Sequence, residues 1–189
     1  MFALVQNGII QFLINPGIPF SWNGVDYPGN WIQLADQQQR DSIGICDVVY
    51  GPQENDQYYW IQQNAPVYNA ETNQVDITFT CTPKDLTQIK SNAFNQVNQI
   101  AYSILFPTDW MVVKSVETST PISPDWNTWR ASIRATADQT RTAVTGAANV
   151  AVVQTIMSSI VWAKSPSQVS LEAEQEAARL AAEEQNNGN

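Results

Sequence analysis

The chain has 189 residues, of which 14% are charged, with a net charge of −9 and a pI of about 4.2. So few Lys and Arg exclude a nucleic-acid or anionic-membrane partner, since both need clustered positive charge. The absence of histidine removes His-based triads, His general bases and the commonest metal ligand.

The first 80 residues read as β-structure. Phe2 to Val5 and Ile9 to Ile14 flank Asn7-Gly8, and Phe20 to Trp22 and Val25 to Tyr27 flank Asn23-Gly24. Asn-Gly is the pair that type I′ hairpin turns require. Pro16, Pro19 and Pro28 keep these strands short. Trp31 to Arg40 reads as one short helix. Ile43 to Tyr50 and Gln57 to Gln63 read as strands, with Tyr58 and Trp60 on the opposite face from Tyr59 and Ile61. In Val75 to Cys81, apolar Val75, Ile77, Phe79 and Cys81 alternate with Asp76, Thr78 and Thr80, which is the period of a strand with one dry face. Asn69 to Asn73 reads as the turn pairing it with Val67-Tyr68.

At Thr82 the period changes. Thr82 as N-cap and Pro83 at the first helical position open a helix expected over Pro83 to Leu105. Leu86, Ile89, Ala93, Phe94, Val97, Ile100, Ala101, Ile104 and Leu105 form its apolar stripe, expected to lie on the β-sheet. Pro107 breaks the helix, and Thr108 with Asp109 starts the next, which carries Trp110. Ser123-Pro124-Asp125 opens a third, with Trp126, Trp129, Ile133 and Ala137 on one side and Arg130, Arg134 and Arg141 placed to pair with Asp109, Glu117 or Asp138. Gly146 ends or interrupts it. Val150 to Met157 is a further short helix, and Ile160 to Trp162 an extended segment or helix end. Lys164 to Ser167 reads as a linker. Ser170 then caps a last helix, Leu171 to about Gln185, followed by a polar tail, Asn186 to Asn189. From Ser165 onward the chain has five Glu against one Arg, and such a helix is only partly formed in isolation. Leu171, Ala178 and Leu180 are its expected partner contacts.

These elements make an α+β fold: a small antiparallel β-sheet packed on a long amphipathic helix, followed by a helical C-terminal half. The expected divisions are 1–106, 107–164 and 165–189.

No nucleotide-binding, nucleophile-elbow or zinc-protease motif occurs, and Cys46 has no histidine to activate it. No catalytic residue, cofactor or metal is therefore expected; Glu54 and Asp56 are too few ligands for a Ca²⁺ loop. Cys46 and Cys81 lie in apolar runs, where Cys behaves as a small hydrophobe. No run approaches the ~18 apolar residues of a membrane span, and Met1 to Asn7 lacks the basic start of a secretory signal, so synthesis in a cytoplasm is expected. Trp22, Tyr27, Trp31, Tyr58, Tyr59 and Trp60 crowd the β half. They fill a thin core, anchor a protein interface or stack on sugars. If Trp60 is core, Trp60→Ala costs about 3–5 kcal/mol.

The segment Thr108 to Arg134 holds three of the seven tryptophans and ends in Trp126-x-x-Trp129-Arg130-x-x-Ile133-Arg134, the face of one helix. The order of an amphipathic helix, Pro107-Thr108-Asp109-Trp110, Lys114 and Glu117, then Pro124, Trp126, Arg130 and Arg134, resembles a module of tailed bacteriophages over roughly residues 80 to 163. It is found in small proteins encoded beside tail-fibre and baseplate genes, labelled tail-fibre assembly or tail assembly chaperone proteins. The resemblance implies a non-enzymatic structural protein of the tail, oligomeric in its assembly, with fibre or baseplate subunits as partners and the virion as its destination. In this reading Trp110, Trp126 and Trp129 are core or interface. Two alternatives stand beside it: an assembly chaperone that leaves the mature particle, and a host-glycan-binding module that uses the aromatics of the β half.

Overall fold

A computed structural model describes residues 1–187 of the chain and the side-chain surroundings through Glu183; Gly188 and Asn189 of the polar tail lie outside the described residues. The fold is mixed α+β and divides into two compact units, Met1–Pro83 and Lys84–Asn189.

In the first unit, strands β1 (Phe2–Gln6), β2 (Ile9–Ile14), β5 (Ile45–Tyr50), β7 (Val67–Asn69) and β8 (Gln74–Ile77) form a sheet in the order β2-β1-β5-β8-β7. Its pairings are antiparallel except β5 with β8, which run parallel. The two edge strands, β2 and β7, touch each other, so the sheet is curled. Two-stranded ribbons complete the unit: β3 (Phe20–Trp22) with β4 (Val25–Tyr27), and β6 (Tyr59–Gln63) with β9 (Phe79–Pro83).

Both Asn-Gly pairs turn as expected. Asn7, Gly8, Asn23 and Gly24 all have positive φ, the conformation a type I′ turn demands. Gly44 is required for a different reason: a Cβ there would sit 2.3 Å from the Val5 carbonyl oxygen, beside the irregularity in β1 between Leu4 and Val5. The expected helix Trp31 to Arg40 is two, α1 (Trp31–Leu34) and α2 (Gln37–Ser42). Asp36 divides them with a reciprocal capping box, accepting from Gln39 N while Gln39 Oε1 accepts from Asp36 N.

The expected strand Val75 to Cys81 is also split. Val75 and Ile77 are fully buried in β8, but the Ile77 carbonyl accepts from Gly51 N at 2.8 Å and the Thr78 carbonyl from Asn64 N at 2.9 Å. Asn64 also bonds the hydroxyls of Thr78 and Thr80 through its side chain. These contacts end one ladder at Thr78, and the chain resumes as β9 against a different partner.

The helical unit is built on α3 (Leu86–Leu105) and α5 (Pro124–Gly146). β9 occupies Thr82 and Pro83, so the cap of α3 falls on Asp85, whose carboxylate accepts from Gln88 N at 2.8 Å. The stripe Ile89, Ala93, Val97 and Ala101 is buried, and Val97 and Ala101 pack with Trp129, Ile133 and Ala137 of α5. These contacts join α3 to α5 within the second unit. A stripe alone states that a face is dry, not which element dries it. Three polar links fix α3 and α5 antiparallel: Lys90 Nζ to Thr145 O at 2.8 Å, Arg141 to Asn98 Oδ1 at 2.6 Å and Arg130 to Leu105 O at 3.2 Å. Arg141 also pairs with Asp138 one turn earlier. The 3₁₀ turn Phe106–Thr108 joins α3 to α4 (Asp109–Thr118), and Asn149 caps α6 (Val150–Ser158).

The last helix, α7 (Pro166–Asn187), begins earlier than expected. Ser165 is its cap, with Pro166 next and Gln168 returning its side chain to Ser165 N at 2.8 Å. The Lys164-to-Ser167 segment read as a linker is therefore largely this helix start.

Cys46 and Cys81 are free thiols. Burial pushes the Cys46 thiol above its ordinary value, with Asp47 and Asp41 adding to the effect. A raised value leaves less thiolate at neutral pH. A thiol reagent is expected to modify half-buried Cys81 first and Cys46 only as the unit unfolds; equal labelling rates in the native chain contradict this. Trp60 is 67% exposed, so Trp60→Ala is expected to cost well under the about 3–5 kcal/mol of a buried tryptophan. Chemical denaturation distinguishes this from the loss a buried tryptophan would give.

Candidate functional site

Of the aromatics in the β unit, Trp22, Tyr27 and Trp31 are half-buried and engaged with one another through Phe12 and Phe20. Tyr27 lies 4.8 Å from both the stacked Phe20 ring and the edge-on Trp31 ring. Tyr58 is buried. These rings are spent largely on their own packing, and Trp60 is the exposed tryptophan among them.

The helical unit arranges its tryptophans differently. Pro124 starts α5, and helical spacing then puts Trp126, Trp129, Arg130 and Ile133 on adjoining positions. Trp129 is buried, and its indole N–H donates to the Ala163 carbonyl at 2.9 Å. That bond holds the segment after α6 against α5, although 34 residues separate the partners. Trp126 stands edge-on to Trp129, with centroids 5.4 Å apart.

Arg130 is 3% exposed. Its guanidinium donates to Leu105 O at 3.2 Å, to the Thr108 hydroxyl and to Asp109 Oδ1 at 2.6 Å. Thr108 in turn donates to Leu105 O at 2.7 Å. A cation thus sits at the electronegative C-terminus of α3, with Asp109 at the electropositive start of α4. Thr108 serves this junction and makes no side-chain cap of its own to α4.

Around these residues runs a furrow of three joined clefts. The main one, about 520 Å³, is lined by Trp126, Trp129, Trp162, Ile104, Pro107 and Lys164 among others. A narrower cleft of about 150 Å³ continues past Trp126 between Trp110, Lys114 and Pro121. A third, about 460 Å³, shares Trp129, Ala163 and Lys164 with the first and extends to Val169 and Ser170. Volumes of several hundred Å³ are the size of ligand clefts. Lys164 is held by both carboxylate oxygens of Glu172 at 2.7 Å, and Lys114 lies 5.9 Å over the Trp110 ring.

Trp110, Trp126 and Trp129 therefore meet in one place, in three different states: Trp110 is 56% exposed, Trp126 half-buried and Trp129 core. Trp162 and Lys164 belong with them and were missed. The available signal was a tryptophan in a non-helical stretch just ahead of Pro166, but its spatial neighbours are more than 30 residues away in sequence. Leu171, Ala178 and Leu180 lie outside the furrow on α7, which has no buried side chain through Glu183. Leu180 shares a face with Val169, Ala173 and Ala177, while Leu171 and Ala178 lie on the other side. Arg179 pairs with Glu176 and Glu183 at 2.6 Å, and it draws the Glu176 carboxyl below its ordinary value.

Among the described residues no group of three His, Cys, Asp or Glu side chains is placed to hold a metal ion, and no helix is long and apolar enough to cross a membrane.

Replacing Arg130 tests the junction. Arg130→Ala strips Thr108 and Leu105 of a charged donor, and such hydrogen bonds contribute about 1.5–3 kcal/mol each. A loss of roughly 2–4 kcal/mol is expected in denaturant unfolding, since the effects overlap and half-exposed Asp109 regains water. Arg134→Ala, at an exposed position one turn on, is expected to change stability by less than about 0.5 kcal/mol; equal losses in the two variants contradict the assignment. No family model, curated protein or solved structure matches this chain.

Proposed function

We propose that the chain is a structural component of a tailed-phage tail that joins fibre or baseplate subunits through protein–protein contacts. The observation that carries this reading is the apolar surface left uncovered on the helical unit. Tyr102, Phe106, Trp110, Val113 and Val116 follow one another along the end of α3 and through α4, all more than half exposed. Val169, Leu171 and Leu180 are similarly open on α7. Clusters of exposed large apolar side chains mark interaction sites more often than free surface. The low charge of the chain favours the same conclusion, because burying such a surface strips few ions of water.

Mass spectrometry of purified particles tests the proposal. The chain is expected in fixed ratio to the major tail protein; its presence in infected cells but absence from particles would replace the reading with that of an assembly chaperone. Removing residues from Ser165 onward tests the role of α7. This helix buries no side chain among its described ones, so the shortened chain is expected to melt within a few degrees of the full one, in line with a ΔΔG of about 1 kcal/mol, and to enter tails poorly. Normal incorporation would show that α7 is not the docking element.

A further inference from the structure

We infer that the tryptophan furrow binds an extended, proline-rich segment of a partner protein. The inference rests on the reading that this chain works by protein contact, and it names the chemistry of the partner.

The argument turns on donors and acceptors. Among the described residues, the indole N–H groups of Trp126 and Trp162 have no protein acceptor, whereas that of Trp129 is committed to Ala163. Lys164 also lines this cleft, with its ammonium held by Glu172. The acceptors there are mostly engaged. Thr108 oxygen receives Arg130, Gln168 Oε1 receives Ser165 N and Ser165 Oγ receives Gln168 N. No Asp, Glu or Asn lines the main cleft. The site therefore offers donors and flat apolar rings, and asks for acceptors and apolar rings in return.

A sugar fits this poorly, because each hydroxyl brings a donor that needs an acceptor. A proline-rich segment fits it well. Proline has no N–H to satisfy, its carbonyls point outward as acceptors, and its rings lie flat against indoles. Its polyproline II backbone is already extended, so little order is lost on binding. The three clefts share lining residues in succession, from Trp110 past Trp126 to Trp162 and Val169, which suits an extended chain better than a compact ligand. The charge agrees: Lys114 and Asp125 balance along the track and Lys164 is already paired with Glu172, so an uncharged, carbonyl-rich segment is favoured.

The test is a titration of the full chain with a blocked deca-proline peptide, followed by the indole N–H resonances of its seven tryptophans. Saturable shifts are expected for Trp126 and Trp162, with Trp22 and Trp60 unmoved. Trp162→Ala is expected to weaken binding at least about tenfold, as loss of a tryptophan anchor does, and Trp60→Ala to leave it unchanged. Should Trp162→Ala lower the melting temperature, Trp162→Phe keeps an aromatic ring and removes the donor; unchanged affinity in it overturns the proposal. No saturable shift, or shifts produced by an N-acetylglucosamine oligomer and not by deca-proline, overturns it as well. The two readings fail separately. A chain found in particles that ignores deca-proline loses the furrow assignment alone, and one that binds deca-proline but is missing from particles loses the tail-component reading alone.

Discussion

The buried guanidinium of Arg130 sets the geometry on which the helical unit depends. α3 cannot continue through Pro107, and a helix that stops inside a structure leaves carbonyls without partners. Arg130 reaches one of them, Leu105 O, and from the same planar group binds Thr108 and Asp109. Lysine carries its three donors on one nitrogen and lacks the planar fork that here divides the acceptors between two. The cost of taking the cation out of water is offset because every contact is charge-assisted and Asp109 remains half in solvent. The break at Pro107 thereby becomes a defined corner, and α4 leaves it on a fixed path.

That corner shapes the furrow. Arg130 follows Trp129 directly in α5, so the residue that fixes the corner also fixes the ring beside it. Ile104 and Pro107 come from one side of the junction, Trp126 and Trp129 from α5, and Trp162 from the segment that Trp129 holds through Ala163. Core packing by Val97, Ile133 and Ala137 lies immediately behind. The cleft is thus the rim of a core rather than a gap in a loop, and rigid walls lose little entropy when a segment settles between them.

Much of the fold was legible because local chemistry decided it. Asn-Gly turns and the Ser123-Pro124 start act within a few residues, and the apolar stripe of α3 is a matter of spacing. The failures have a common cause, which is competition from contacts distant in sequence. Asn64 and Gly51 took the backbone groups that would have carried one strand through Thr78. β9 claimed Thr82 and Pro83 before the helix did, leaving the cap to Asp85. Val97 and Ala101 of α3 pack on α5, a partner that periodicity does not name. The site was half legible on the same grounds: Trp126 and Trp129 are helical neighbours, whereas Trp162 joins them only through tertiary structure.

The two kinds of exposed apolar surface on the helical unit then call for different partners. Along α4 the exposed side chains are large, and Lys114 lies 5.9 Å over the Trp110 ring. On α7 one face combines Val169, Ala173, Ala177 and Leu180, and the ion pairs of Arg179 with Glu176 and Glu183 run along its flank, beside Leu180. A wide aromatic surface grips by area, whereas a narrow alanine-rich face grips by closeness of fit. Under the proposed role in a tail these properties suit two unlike neighbours, and the furrow, with its unused indole donors, suits the extended segment proposed to bind there.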